Sequence, residues 1–275
     1  MQIAAQIFPV GKAVDPVFAQ IRAEAEAAVR REPDLGSFLT ASILNHASIE
    51  QAVAHRIGAR LSHQDFPGGL IEQNFLELAG REPALGEAIR ADLLAVADRD
   101  PACRRLMEPL LYFKGFQALQ THRLAHALWN AGRMDFALYL QSRASAVFQT
   151  DINPEARIGK GLFLDHATGL VVGATAVIDD DVSILHGVTL GGTGHHRGDR
   201  HPKIRKGVLI GAGAKIIGNI EIGACSRIAA GSVVLKAVPP GVTVAGVPAR
   251  VVGGSGCAEP AREMDQVPIG KPREQ

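Results

Sequence analysis

From Ile152 onward a branched aliphatic residue returns at every sixth position. Ile152, Ile158, Leu164, Leu170, Ala176, Val182 and Val188 form one series, in which only Ala176 departs from the branched type. Ile204, Ile210, Ile216, Ile222, Ile228 and Val234 form a second series without exception. The positions between them favour Gly, Ala, Ser, Asp and Asn, which suit tight turns. Strands of a β-sandwich alternate by two and do not hold a six-residue phase. A hexapeptide period is instead the signature of a parallel β-helix. Each hexad then gives one short strand and a corner, with the aliphatic side chain pointing into the prism.

The phase breaks once in this reading. Val188 and Ile204 are 16 residues apart, so ten residues are expected to leave the prism, and the segment Gly192–Lys203 is polar and rich in Gly, His and Arg. A long polar loop on a rigid scaffold is where function tends to sit. Val238-Pro239-Pro240 breaks the last coil, and Ala245–Arg250 forms a further turn. From Gly253 on, low apolar content predicts mobility.

The first half has a different grammar. Nine of the 30 glycines lie in residues 1–150 and 21 in 151–275. Asp15-Pro16 opens a stretch of strong helix formers ending near Arg31. Ser48-Ile49-Glu50-Gln51 has capping-box spacing. Leu85, Ile89, Leu93 and Val96 repeat at helical spacing, as do Phe116, Leu119, Leu124 and Leu128. Gly132 is expected to end that helix, and a further one to cover Met134–Phe148. The chain is therefore read as α+β: a helical domain over 1–148, a β-helix over 149–253 and a flexible tail over 254–275.

Twenty-nine basic residues balance 28 acidic ones, so nothing points to nucleic acid or an anionic membrane as the main partner. No run of about 18 apolar residues exists to span a bilayer. The opening residues lack the basic and apolar regions of a signal peptide. Cys103, Cys225 and Cys257 are odd in number and form no C-x-x-C pair, which fits a reducing cytoplasm.

Two places gather chemical residues. Leu164–Gly169 contains Asp165 and His166, and Gly198–Lys203 contains Arg200 and His201. An imidazole at His166 can accept a proton near neutral pH, or can serve as a hydrogen-bonded corner residue. Asp151 lies 15 residues earlier, close to one coil of about 18, and so can stack near His166 as its orienting carboxylate. Arg200 can clamp a carboxylate or phosphate, or remain a solvated loop arginine. Asp100 before Pro101 reads as a helix N-cap with proline at the first turn. His186, His195 and His196 receive no role. Thr189–Gly194 is glycine-rich but lacks the strand-to-helix setting of a P-loop.

Together, Asp151–Pro154, Leu164–Gly169, Val188–Gly194, Gly198–Ile204 and Ala245–Arg250 resemble the bacterial serine O-acetyltransferases, and so do Arg99–Ala102 and Pro109–Phe116 in the helical half. The resemblance covers about residues 15–253. It implies a left-handed parallel β-helix and transfer of acetyl from acetyl-CoA to the L-serine hydroxyl, in L-cysteine biosynthesis, with no acyl-enzyme and no metal. His166 would be the general base and Asp151 its orienter. Asp100 and Asp165 would hold the serine ammonium, and Arg200 and His201 its carboxylate. Gly192, Thr193, Ala212 and Gly213 would contact acetyl-CoA in a groove between two subunits. The family forms trimers, pairs them into hexamers and is inhibited by L-cysteine. Many members bind O-acetylserine sulfhydrylase through a C-terminal isoleucine; the ending Lys271–Gln275 argues against that complex. The charges support the acceptor independently, since an amino-acid zwitterion needs carboxylates on one side and cations on the other. Each such contact contributes about 1.5–3 kcal/mol.

Three other readings compete. A sugar O-acetyltransferase has no use for an ammonium clamp. A β-helix carbonic anhydrase would hold zinc through residues such as His166, His186 and His201. A non-catalytic assembly partner would not depend on His166.

Overall fold

The computed structural model describes residues 15–194 and 197–266. His195, His196, the ending Lys271–Gln275 and the first 14 residues, on which the signal-peptide reading rests, lie outside them. Helix α1 (Pro16–Arg31) begins where Asp15 accepts the Val17 and Phe18 N–H groups at 3.1 and 3.3 Å. A short α2 (Gly36–Leu39) runs into a wide turn over Thr40–Leu44. α3 (Ile49–Leu61) starts at Ser48, whose Oγ accepts the Gln51 N–H at 3.4 Å. The Gln51 side chain reaches back to the Ala47 N–H at 2.8 Å, one residue before the group a capping box would satisfy. α4 (Gly68–Arg81), α5 (Pro83–Arg99), α6 (Met107–Leu111), α7 (Lys114–Asn130) and α8 (Met134–Phe148) complete the bundle. Ile21, Ile43, Ile57, Ile71, Phe75, Leu93 and Phe148 fill its core.

The strands then follow in order: β1 (Thr150–Ile152), β2 (Arg157–Ile158), β3 (Phe163–Leu164), β4 (Leu170–Val172), β5 (Val177–Ile178), β6 (Ser183–Ile184) and β7 (Thr189–Gly191). After the loop come β8 (Lys203–Ile204), β9 (Leu209–Ile210), β10 (Lys215–Ile217), β11 (Glu221–Ile222), β12 (Arg227–Ile228), β13 (Val233–Val234), β14 (Val242–Gly246) and β15 (Ala249–Gly254). Every third strand pairs in parallel as far as β13, and β14 then pairs with β12, giving three faces: β1-β4-β7-β10-β13, then β2-β5-β8-β11, then β3-β6-β9-β12-β14. Each face carries one inward ladder: Ile152–Val172–Leu190–Ile216–Val234 on the first, Ile158–Ile178–Ile204–Ile222 on the second, Leu164–Ile184–Ile210–Ile228–Val244 on the third.

Those ladders correct the loop length read from the sequence. Thr150 pairs with Leu170, so the first coil holds 20 residues, whereas Val171 to Thr189 is an ordinary 18. Thr189 pairs with Lys215, a coil of 26. The loop after β7 therefore holds eight extra residues, and the other two of the expected ten sit at the corner between β3 and β4. That corner is Asp165–Gly169. The hexad count passed over it because Leu170, two residues early, is also buried and apolar.

The two halves meet closely. A Cβ on Gly115, near the start of α7, would lie 2.0 Å from the Leu164 carbonyl oxygen, so only glycine fits there. Buried Asp92 of α5 accepts three bonds from Arg123 of α7, one from Gln120 and one from the Leu162 N–H of the first coil. After β15, which returns antiparallel to β14, the chain forms α9 (Pro260–Glu263). Here Ala261 O accepts the Ser183 hydroxyl at 2.7 Å, and Arg262 pairs with Asp98 at 2.8 Å. The first part of the segment read as a tail is thus docked on α5 and β6; residues 267–275 lie outside the described ones.

Candidate active site

The corner between the third and first faces carries His166. Both His166 (φ 54°) and Ala167 (φ 56°) are in the left-handed region, which disfavours residues with a Cβ. Such conformations persist only where neighbours over-determine them. Here Gly169 N–H donates to Gln149 O at 2.8 Å, and Gly187 N–H of the next coil donates to Thr168 O at 2.7 Å. The Thr168 hydroxyl takes no part in these backbone bonds; it accepts a hydrogen bond from Lys114 Nζ at 2.5 Å. The strained corner presents the imidazole outward, with 76% of the side chain exposed.

Asp100, Asp165 and His166 line one cavity of about 350 Å³, together with Lys114 and the apolar walls of Tyr112, Phe113 and Phe163. Asp165 Oδ1 lies 3.7 Å from His166 Nε2. Burial pushes the Asp165 carboxyl above the usual carboxylate range; His166 opposes this, and the charge of Asp100 adds to it. A pocket holding two mutually repelling carboxylates is suited to a cation. Asp100 does not cap a helix start, as its Pro101 neighbour suggested. It ends α5, and its Oδ1 accepts the Ala102 N–H at 2.8 Å across a tight turn. His186 stands one coil further along the same corner, its ring edge-on to His166 at 6.0 Å between centroids.

Asp151 lies on β1, paired with Val171, and its carboxylate accepts Gln141 Nε2 at 2.6 Å. Among the described residues, the carboxylate paired with His166 is Asp165, not Asp151. Asp151 stacks beneath Val171, on the strand that follows the corner.

Arg200 and His201 sit at a different corner, between the first and second faces. Thr175 organises them. Its Oγ1 accepts the Arg200 and His201 N–H groups at 3.0 and 3.1 Å and lies 2.8 Å from His201 Nδ1. The Thr175 N–H also donates to Nδ1, at 3.2 Å. With Nδ1 an acceptor, the proton of neutral His201 is on Nε2. Burial, then Arg200 and Lys203, push this imidazole below its ordinary pKa, so it is a neutral donor rather than a cation. The ring fills space left by Gly173, whose Cβ would lie 2.0 Å from it, and approaches Gly192 within 2.9 Å of where its Cβ would be. Lys203 ties the loop down through Thr175 O, His201 O and Asp199.

The four residues expected at the cofactor divide the same way. Gly192 and Thr193 follow β7 at the loop corner, while Ala212 and Gly213 follow β9 on the His166 corner, where Gly213 N–H donates to His186 O at 2.9 Å. Within one chain, each corner therefore carries half of the acceptor set and half of the cofactor set. Thr175 and Gln141 were not found by sequence reasoning, because neither is near its partner in sequence and neither type signals chemistry alone. Lys114 lies in Pro109–Phe116, a stretch that carries the family resemblance without giving this lysine a role.

The chain matches the model of the N-terminal region of serine acetyltransferases over residues 17–121 and that of bacterial transferase hexapeptide repeats over 201–236. It is 52% identical to the serine acetyltransferase of Salmonella typhimurium over 91% of this chain and 92% of that one. The Brucella abortus serine acetyltransferase, solved in complex with coenzyme A, superposes with a TM-score of 0.87 at 64% identity, covering 89% of this chain and 98% of that one. The soybean enzyme, solved in complex with serine, gives a TM-score of 0.84 at 52% identity over 86% and 97%. The helical half, the hexapeptide prism and the pocket at its first corner thus occur together in a chain that belongs to the serine acetyltransferase family.

Proposed function

We propose that this protein transfers the acetyl group of acetyl-CoA to the hydroxyl of L-serine, giving O-acetyl-L-serine and CoA, a step toward L-cysteine. The observation that carries this is the meeting of Asp100, Asp165 and His166 in one cavity. The two carboxylates take the serine ammonium, which places the hydroxyl beside His166. His166 accepts the hydroxyl proton as the oxygen attacks the thioester carbonyl. The tetrahedral intermediate collapses, expels the CoA thiolate and returns the proton to sulfur. Asp151 orients the base once its carboxylate turns from Gln141; its place on β1, beneath the strand that follows the corner, supports this. Arg200 binds the substrate carboxylate with its fork, and His201 adds the Nε2 proton.

Because these two groups stand at another corner from His166, we assign them to a second copy, with acetyl-CoA between Gly192–Thr193 of one copy and Ala212–Gly213 of the next. A ring of copies lets one corner type always meet the other, and the family resemblance makes that ring a trimer. Pairing of trimers into hexamers and occupancy of the serine pocket by L-cysteine as inhibitor rest on the family resemblance. A cytoplasmic setting rests on three free cysteines; among the described residues no helix is long and apolar enough to cross a membrane.

Thiol release from acetyl-CoA with L-serine tests the assignment. The wild type should turn over, and His166→Ala should lose about 10²-fold or more, as expected for a general base. Turnover with a glycoside and none with serine would sink it.

A further inference from the structure

We propose that Lys114 is a built-in competitor for the ammonium subsite and that Thr168 holds it away, an inference that rests on Asp100 and Asp165 receiving the substrate ammonium. Lys114 opens α7, and its side chain lines the same cavity as Asp100, Asp165 and His166. Its charged end, however, pairs with neither carboxylate: among the described residues, its hydrogen-bond partner is the neutral Thr168 hydroxyl. A lysine beside two half-buried carboxylates, one of them destabilised by the other, would ordinarily pair with them. It carries the same chemical group as the substrate, on a flexible four-carbon stem.

Both ends of the latch are fixed. Gly115 packs against the Leu164 carbonyl, which pins the root of the Lys114 side chain beside β3. Thr168 is held by its N–H on His166 O at 2.8 Å and by its carbonyl on Gly187 N–H at 2.7 Å. The two extra residues of the first coil form this corner, so one insertion supplies both the base and the post that restrains the lysine. Without the Thr168 hydroxyl, the ammonium of Lys114 has no partner at the corner and falls onto Asp165 and Asp100. It then excludes an incoming α-ammonium while leaving His166 and the acyl-donor groups in place. The latch therefore acts on acceptor affinity and not on the chemical step.

The test is kinetic. KM for L-serine, KM for acetyl-CoA and kcat are measured for wild type, Thr168→Val, Thr168→Ser, Lys114→Met and the Thr168→Val/Lys114→Met double variant. Thr168→Val should raise KM for serine about tenfold, with kcat and KM for acetyl-CoA changed by less than about twofold. Thr168→Ser should behave as wild type. In the double variant KM for serine should return to within about threefold of Lys114→Met alone. A corner that had merely lost structure would not be rescued by a second substitution. An unchanged KM in Thr168→Val, or a rise that persists in the double variant, overturns the proposal. Wild-type thiol release, measured in the same series, tests the acetyltransferase reading separately.

Discussion

Thr175 Oγ1 has one proton and two lone pairs, and the loop corner uses all three. The lone pairs accept the Arg200 and His201 amides, and the proton goes to His201 Nδ1. One hydroxyl thereby sets the path of the loop and the tautomer of the imidazole. Valine has the same shape without the hydroxyl, so Thr175→Val leaves two loop amides unpaired and removes the firmer of the two donors to Nδ1. Leaving such groups unsatisfied costs about 1–3 kcal/mol. The variant should show KM for serine raised about tenfold, with KM for acetyl-CoA little changed. Steady-state kinetics at saturating levels of each substrate in turn would check this. An unchanged KM for serine would show that the hydroxyl does not hold the carboxylate-binding groups.

Elements were legible where one period decided them. The three ladders hold nine of the thirteen positions counted by sixes, the other four being buried in the same core, and α1, α3, α5, α7 and α8 fall where apolar spacing and caps placed them. What stayed hidden was the two-residue slip at Asp165–Gly169, since Leu170 and Val172 are both buried and a count by sixes can step onto either. The site was legible as residue types, but not as geometry. Nothing in spacing says that Asp151 bonds Gln141, or that Arg200 and His166 belong to different corners. Nor does periodicity show how α7 meets the prism; Gly115 does that. In Gly115→Ala the new methyl would overlap the Leu164 carbonyl and drive α7 from the corner it supports. Overpacking of this kind costs about 1–3 kcal/mol, and backbone contact places this case at the upper end. Gly80→Ala, in α4 with nothing within 4 Å of its Cβ, is the matched control and should instead stabilise by up to about 1 kcal/mol. Urea midpoints of the two variants should move in opposite directions; a Gly115→Ala midpoint equal to wild type would refute the tight contact.

At the scale of the molecule, acid stability and assembly each leave a readable trace. His122 is buried on α7 beside the first coil, and burial depresses its pKa from the ordinary 6.5 to about 3. Below pH 6.5 the unfolded chain takes up a proton that the folded chain refuses until pH 3. Stability therefore falls as pH drops through that window, by about 1.4 kcal/mol per unit from this group. His122→Gln, which cannot charge, should flatten the acid limb of a urea-midpoint profile between pH 6 and 4; an identical slope would mean that His122 is not the group responsible. Assembly is tested by mixing two inactive chains. If the His166 corner of one copy works with the Arg200 corner of the next, a trimer has three such junctions. His166→Ala and Arg200→Ala chains should each be inactive as pure species, the second for want of substrate affinity. Co-expressed in equal amounts and assembled at random, they place an intact His166 corner against an intact Arg200 corner at about one junction in four. Such mixtures should show roughly a quarter of wild-type turnover at a serine concentration where neither parent is active. Were both corners to serve one site within a single chain, every site in the mixture would carry a lesion, and mixing would restore nothing.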